Sequence, residues 1–291
     1  MKSLMPLHRI QNWKSALGPR FCPYENPLSA ARWFFYQRFS KALEAAGALP
    51  GGCVLDVGCW EGHFLPSLLA NYSTVCALDN DTASLVDRVR GKWTTLQTAR
   101  DLCVAEGFQP YRLFVAKADG AALPFRTGSF DVVFCLDTLP FVPDGSRNRF
   151  VAELRRVLKT GGTAVITLPV EIGPSLLLRQ ILRHCSGAWL DDYSPWEFIR
   201  ALFYAPRRTT QRAGPINLIG YDYRRDEEVI RKYFRIQRRK FLPSNIFAWL
   251  SPTILLAGKA KLRYRTTCSW RPTREEGHDA REEFHASPDM L

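Results

Sequence analysis

Four aspartates lie at the ends of predicted strands, where a carboxylate can bind a hydroxylated or cationic ligand. Asp56, Asp79, Asp119 and Asp137 each end, or closely follow, a short apolar run containing β-branched residues, a pattern typical of buried strands. Ligands of open α/β sheets bind at the carboxyl ends of the strands. A carboxylate there can accept ribose hydroxyls or face a cation, whereas it would repel a phosphate. The sequence therefore predicts one site at that edge of a sheet.

A glycine-containing turn follows the first of these strands. Gly58 and Gly62 let the backbone turn sharply and let a ligand approach without a Cβ in the way. From Phe64 onward the apolar residues have helical spacing. A dinucleotide fingerprint, G-x-G-x-x-G, would need glycines where this chain has Trp60 and His63. The strand, turn and helix therefore indicate a ligand other than a pyrophosphate.

Composition indicates a globular protein with a basic surface. The chain has 291 residues, 46% hydrophobic and 23% charged, and a formal net charge of +12, which favours nucleic acid, anionic lipid or phosphorylated partners without choosing among them. Its eight cysteines show no zinc-ligand spacing, so no metal is expected. Reduced cysteines within strands predict a cytoplasmic location. No signal peptide and no membrane span are predicted from the hydropathy.

Hydrophobic periodicity predicts alternating strands and helices, which is the pattern of an α/β protein. Ser29 is predicted to cap the first helix, and the segment after residue 168 does not fit a simple crossover. Strands are predicted over 53–57, 73–78, 111–116, 132–136, 163–168, 234–241 and within 246–259, and helices over 30–46, 82–106, 146–158, 176–185, 196–203 and 224–233.

The turn after the first strand resembles the first motif of class I S-adenosylmethionine-dependent methyltransferases, D-x-G-x-G-x-G. Asp56, Gly58 and Gly62 match that motif, and Trp60 replaces its middle glycine. Three further landmarks follow in the family's order: Asp119 with Leu123-Pro124-Phe125, then Gly128-Ser129-Phe130-Asp131, then Glu153 to Lys159 with Gly161-Gly162.

This resemblance implies a Rossmann-like, doubly wound, seven-stranded and mostly parallel sheet of order 3-2-1-4-5-7-6. It implies a methyltransferase domain over 49–262, after an aromatic and basic helical segment over 1–48. Residues 170–220 are expected to be an insert after strand five that builds the acceptor site. Residues 263–291 are highly charged and poor in aliphatic residues, which predicts a disordered tail.

The resemblance also implies roles in binding S-adenosylmethionine. Asp79 is expected to accept the ribose hydroxyls, although it could instead cap the next helix. Asp119 is expected to accept the adenine amino group, with the Gly120 backbone against the ring. The full set of expected cofactor-binding residues is Asp56, Gly58, Cys59, Gly62, Asp79, Asn80, Asp119, Gly120 and Leu136.

Methyl transfer from a sulfonium depends mainly on the alignment of the nucleophile, the methyl carbon and the sulfur, which can lower the barrier by about 7–11 kcal/mol. A hydroxyl acceptor also reacts faster with a general base within hydrogen-bond distance. Many relatives have a Glu-His pair shortly after strand four, where this chain has Pro140-Phe141. Asp137 is the nearest ionisable group and the candidate catalytic residue. It could equally hold the amino-acid end of the cofactor or a backbone turn.

The acceptor is expected to be a small molecule, either a lipid-like or a saccharide metabolite. An anionic or lipid-like acceptor would go with peripheral membrane contact. Aromatic and basic residues are mixed in the N-terminal segment and in the insert, which predicts a lid over a partly apolar acceptor. In the N-terminal segment these residues are Trp13, Phe21, Tyr24, Trp33, Phe34 and Phe35, with Arg20, Arg32 and Arg38. Acceptor-site candidates in the insert are His184, Asp191, Asp192, Tyr193 and Trp196. Two alternatives stay open: a nucleic-acid or protein methyltransferase, which the charge favours, and a catalytically silent cofactor-binding subunit. The oligomeric state is also open.

Overall fold

A seven-stranded sheet forms the centre of the molecule. The computed structural model describes residues 4–6, 26–47, 49, 51–80, 103–105, 107–186, 193–205 and 218–261. The strand order is β3-β2-β1-β4-β5-β7-β6, with β7 antiparallel to both neighbours and the other pairs parallel, as the resemblance predicted. The strands are β1 (Cys53–Val57), β2 (Thr74–Asp79), β3 (Leu113–Lys117), β4 (Phe130–Leu136), β5 (Leu158–Pro169), β6 (Phe234–Leu242) and β7 (Thr253–Ala260).

Six helices accompany the sheet in the described part of the chain: α1 (Ser29–Ala46), α2 (Leu65–Leu69), α3 (Arg147–Val157), α4 (Pro174–Ser186), α5 (Pro195–Leu202) and α6 (Tyr223–Tyr233). The prediction that Ser29 caps the first helix was wrong. Leu28 holds the cap position, and its N–H donates to Asn26 Oδ1 at 2.9 Å. Most of the helix predicted over 82–106, and the tail over 263–291, lie outside the described residues.

The central strands are buried on both faces, which explains why their sequences are almost continuously apolar. Leu55, Val133 and Ile166 pack into a cluster that includes residues of α3 and α6. Their neighbours along the strands belong to a second cluster on the opposite face, with residues of α1 and α2. There Phe39 of α1 stacks on Phe64, with ring centroids 4.6 Å apart. The sheet that carries the site is therefore packed on both faces.

A buried ion pair fastens α6 to the segment that follows β4. Arg147 Nη1 donates to Asp226 Oδ1 at 2.9 Å, and its other nitrogens donate to the carbonyls of Val142 and Pro140. The Tyr221 hydroxyl donates to the second oxygen of Asp226 at 2.8 Å. Asp226 has both oxygens engaged, which a buried carboxylate requires.

Asp226 is the buried partner of Arg147, and its removal leaves Arg147 paired with Asp144, whose side chain is 60% exposed, so Asp226→Ala should lower the free energy of unfolding by up to about 3–5 kcal/mol. The matched control is Glu44→Ala, which breaks the exposed ion pair between Glu44 and Lys41 and should cost less than about 1 kcal/mol. Chemical denaturation of both variants measures the difference. Equal losses of unfolding free energy in the two variants would show that the buried pair of Arg147 and Asp226 is no more important for stability than an exposed pair.

Candidate functional site

The turn between β1 and α2 is tied to the end of β2. The backbone N–H groups of Gly58 and Cys59 both donate to the Leu78 carbonyl, at 2.7 and 3.1 Å. The next N–H, that of Trp60, donates to Asp79 Oδ2 at 2.9 Å. Asp79 therefore orients the turn from its position at the strand tip, and it does so through the residue that replaces the family's middle glycine.

Trp60 keeps the backbone path that a glycine would take. Its φ angle is +50°, and Gly58 and Gly62 on either side have φ angles of +79° and +77°. The left-handed region costs an ordinary residue roughly 1–2 kcal/mol, and the hydrogen bond to Asp79 offsets part of that strain. The departure from the motif therefore adds a partly exposed side chain and leaves the turn in place.

Gly58 has no room for a side chain. A Cβ at this position would lie 2.1 Å from Thr138 Oγ1 and 2.7 Å from Thr138 Cβ. Thr138 follows β4, and its hydroxyl donates to the Val57 carbonyl at 3.0 Å. The turn after β1 is thus packed directly against the end of β4. The sequence analysis did not single out Thr138, because no local pattern marks a residue whose partner is about eighty positions away.

Asp56 is buried beneath this turn, with 3% of its surface exposed. Burial, together with the negative charge of Asp79, raises the pKa of the Asp56 carboxyl to about 7, and the cation of Arg38 opposes that shift. Burial also raises the pKa of the neighbouring Cys59 thiol, which keeps it protonated. A cationic ligand at this position would stabilise the ionised form of Asp56.

The loop after β3 places Asp119 at the surface, where its Oδ1 accepts the Ala121 N–H at 2.8 Å. A Cβ on Gly120 would lie 2.1 Å from the Phe150 ring, so this loop lies directly on α3. The same helix holds the rest of the loop. Glu153 Oε2 accepts the Leu123 N–H at 2.8 Å, and Arg156 donates to the Leu123 and Phe125 carbonyls at 2.9 and 2.6 Å.

Asp137 follows β4 in a left-handed conformation, with φ +56°. Its Oδ1 accepts the Thr167 hydroxyl at 2.7 Å, and its N–H donates to the Thr167 carbonyl at 3.1 Å. Its Oδ2 forms an ion pair with Arg38 of α1, and Arg38 also acts electrostatically on Asp56. The N-terminal helix therefore contributes a guanidinium to this edge of the sheet, and the sequence analysis did not predict its pairing with Asp137.

The expected cofactor residues are distributed over four adjacent strands. Because the sheet order is β3-β2-β1-β4 with all pairs parallel, the carboxyl ends of these strands meet at one edge. The end of β1 and the turn after it carry Asp56, Gly58, Cys59 and Gly62, and the tip of β2 carries Asp79 and Asn80. The loop after β3 carries Asp119 and Gly120, and the end of β4 carries Leu136 and the catalytic candidate Asp137.

The acceptor candidates are only partly described. Tyr193 contacts the Phe198 ring edge-on at 5.9 Å, and Trp196 and His184 are exposed. Asp191 and Asp192 lie outside the described residues, as do residues 7–25 of the expected lid. Among the described residues no three histidines, cysteines or acids form a group that could hold a metal.

Comparisons with known proteins show which family the central part of the chain resembles. Residues 55–166 match a family described as "Methyltransferase domain". The 2-methyl-6-phytyl-1,4-hydroquinone methyltransferase of Synechocystis sp. is 31% identical over 157 residues, which are 50% of this chain and 44% of that protein. The ubiquinone biosynthesis O-methyltransferase of Escherichia coli O157:H7 (strain EC4115 / EHEC) is 27% identical over 199 residues, 61% of this chain and 77% of that protein.

A solved structure shares the fold. The geranyl diphosphate C-methyltransferase of Streptomyces coelicolor A3(2), determined with S-adenosyl-L-homocysteine, superposes with a TM-score of 0.51 at 12% identity, covering 79% of each chain. The match to the first relative spans less than half of that protein's length. These findings confirm the predicted fold, and the match over residues 55–166 agrees with the predicted family.

Proposed function

We propose that the protein transfers the methyl group of S-adenosylmethionine to a small, lipid-like acceptor, using the segment over residues 55–166 that matches the methyltransferase family. The observation that carries the proposal is the order of three carboxylates, Asp56, Asp79 and Asp119, along adjacent strands at one edge of the sheet. When bound, S-adenosylmethionine supplies an activated methyl group on a sulfonium. The protein supplies alignment, which can contribute about 7–11 kcal/mol.

The geometry of the turn supports the proposed cofactor contacts. Asp79 accepts the ribose hydroxyls, while its hydrogen bond with the Trp60 N–H fixes the carboxylate. Asp119 accepts the adenine amino group, and its bond to the Ala121 N–H orients it for this contact. Asp56 faces the cationic part of the cofactor, which favours ionisation of a carboxyl whose pKa is about 7.

Arg38 binds the carboxylate at the amino-acid end of the cofactor in this proposal. A guanidinium can hold a carboxylate through two parallel hydrogen bonds, and Arg38 is close enough to the β1 turn to influence Asp56. Asp137 and Thr167 then position Arg38, since Asp137 accepts from both of them. This supports the role of Asp137 as a holder of the amino-acid end over its role as general base.

The lipid-like acceptor is supported by the relatives. Their names specify a phytyl hydroquinone and a step of ubiquinone biosynthesis, and this chain has aromatic residues in the expected lid. Such an acceptor is supplied from a membrane, so we propose peripheral membrane contact. Within the described ranges, no helix is long and apolar enough to cross a membrane.

Titration calorimetry with S-adenosylmethionine tests the cofactor site. Asp79→Ala should bind the cofactor about 5- to 150-fold more weakly, since it leaves buried polar groups without a partner, at a cost of about 1–3 kcal/mol. Glu228→Ala, an exposed acid on α6, is the control and should bind normally. Equal affinity in the two variants would remove Asp79 from the site.

Transfer of a labelled methyl group to a total cell extract tests the acceptor class. Label in the organic phase is expected. Label in RNA, with salt-dependent retention of RNA by the protein, would favour the nucleic-acid alternative. Cofactor binding without label in any fraction would favour a silent subunit.

A further inference from the structure

Helix α4 exposes a continuous apolar face. Leu177, Leu178, Ile181 and Leu182 are all exposed, and their spacing places them within one side of the helix. The last turn of the same helix carries Arg183 and His184. An apolar side with basic residues at its end is the composition of a helix that lies in a membrane interface.

The opposite side of α4 is fixed to the sheet. Leu176 is fully buried, and so is Glu171, just after β5, which forms an ion pair with Arg179. Arg183 Nη2 lies 3.8 Å from the same carboxylate oxygen. Because these contacts hold the inner side, the orientation of the apolar side toward the outside is set by the fold.

Helix α5 presents a second apolar face beside α4. Trp196, Ile199 and Phe203 follow one another at spacings of three and four residues, and Trp196 is 66% and Phe203 74% exposed. The helix is anchored at both ends. Ser194 and Glu197 form a capping box at its start, and the Ala201 carbonyl accepts the Gly173 N–H at 2.9 Å near its end.

A third apolar element follows β6, in the turn that contacts α4. It exposes Ile246, Phe247 and Trp249, and Ile246 is 82% exposed. The Ser251 hydroxyl lies 3.0 Å from the carbonyls of Ser244 and Phe247, which closes the turn. Since β5 and β6 are both antiparallel to β7, this turn lies at the same edge of the sheet as the start of α4.

We propose that these three apolar faces, here called the apolar rim, dock on a membrane surface that contains anionic lipids. Tryptophan and other aromatic side chains favour the boundary between head groups and acyl chains. Arg179 and Arg183 lie on the inner side of α4 with Glu171, so the basic residues left for the surface of α4, α5 and the 243–252 segment are His184 and Arg200. Glu197 is the single acid of these elements and is engaged by Ser194. With a net charge of +12 for the whole chain, this surface favours an anionic membrane.

Docking of the apolar rim would bring the membrane close to the proposed cofactor site, and this role rests on the proposed function. The rim lies at the carboxyl edge of the sheet, where β4 and β5 end beside the cofactor residues. A membrane against the rim would face that edge. An acceptor with a lipid tail could then reach the site while its tail stays in the acyl layer.

Cosedimentation with vesicles tests the rim without cofactor or acceptor. The full chain is expected to bind vesicles of phosphatidylcholine with about 30% phosphatidylglycerol more tightly than pure phosphatidylcholine, and less tightly as salt is raised. Trp196→Ser with Phe203→Ser should weaken that binding at least about tenfold, because two aromatic side chains no longer leave water. Ile246→Ser, on a separate element, should weaken it about threefold or more.

The matched control is Tyr111→Ser with Phe114→Ser, two exposed aromatics at β3, the far edge of the sheet. It should bind vesicles within about twofold of the unmodified protein. Failure of the unmodified protein to bind anionic vesicles, or equal weakening by the control, would overturn the proposal. A rim variant that instead converts a dimer to a monomer, without any vesicle effect, would assign the rim to a second copy of the chain.

Cofactor calorimetry separates this proposal from the proposed function. The rim variants should bind S-adenosylmethionine with unchanged affinity, since none of the substituted residues lies at the β1 turn. Intact cofactor binding with no vesicle binding would overturn the rim alone. Vesicle binding by a protein that does not bind the cofactor would overturn the proposed function and leave the rim standing.

Discussion

Replacing Gly58 by alanine should abolish measurable cofactor binding and lower the free energy of unfolding by about 3 kcal/mol. The φ angle of +79° costs an alanine roughly 1–2 kcal/mol. The new Cβ would also lie 2.1 Å from the Thr138 side chain, and overpacking of this kind typically costs about 1–3 kcal/mol more. The turn and the end of β4 must separate, so the hydrogen bonds from the turn to Leu78 and Asp79 are disturbed.

The variant Gly161→Ala separates the cost of the positive φ angle from the cost of the steric overlap with Thr138. Gly161 also has a φ of +79°, but nothing lies within 4 Å of its Cβ position. This control should therefore lose only about 1–2 kcal/mol and keep its cofactor affinity. Urea denaturation and calorimetry of both variants provide the comparison. If Gly58→Ala were no less stable than Gly161→Ala, close packing of the turn against Thr138 would be wrong.

The sheet could be predicted because its determinants are local. Each central strand is a short apolar run closed by a turn signal, and the family landmarks fix the order of the strands. The start of β5 was predicted too late. The strand begins at Leu158, which pairs with Phe130, and the pairing resumes at Thr163 after an irregularity that contains Gly161 and Gly162. From the sequence a glycine pair predicts a turn, although in this structure it lies in an irregularity within β5.

The site could be predicted only where its residues belong to the matched family segment. Asp56, Asp79 and Asp119 lie at the expected strand ends, and their roles in binding stay predictions. Arg38 was expected only as one of the basic residues of the lid. Its pairing with Asp137, about a hundred residues away, had no signal in the sequence, since Arg38 lies on a helix outside that segment. Pairing of this kind depends on how α1 packs on the sheet, which hydrophobic periodicity does not specify.

Cofactor binding should strengthen about eightfold between pH 6.0 and pH 7.5 because of Asp56. Its pKa of about 7 means that roughly a tenth of the carboxyls are ionised at pH 6.0 and three quarters at pH 7.5. A cationic ligand binds the ionised form better. The comparison stops at pH 7.5 because deprotonation of the cofactor's own amino group would oppose the effect at higher pH; α-amino groups of peptides have pKa values near 7.7–8.0.

The same shift affects the unliganded protein in the opposite direction. Between about pH 4 and pH 7 the folded state keeps the Asp56 proton while the unfolded chain has released it, so the contribution of Asp56 to stability falls as pH rises through that window. Cofactor binding removes this penalty by stabilising the carboxylate. The increase in melting temperature caused by the cofactor should therefore be larger at pH 7.5 than at pH 6.0.

The coupling between cofactor binding and ionisation of Asp56 can be measured directly as proton release. At pH 7 about half a proton should be released for each cofactor bound, and calorimetry in two buffers with different ionisation enthalpies counts it. Asp56→Asn should bind more weakly, release no proton in this range and lose the pH dependence. Asp119→Asn, which changes an exposed carboxylate of the same proposed site, should bind more weakly but keep the slope. A pH dependence that persists in Asp56→Asn would assign the titrating group to another residue. It would also show that the Asp56 carboxylate does not stabilise the cationic part of the cofactor.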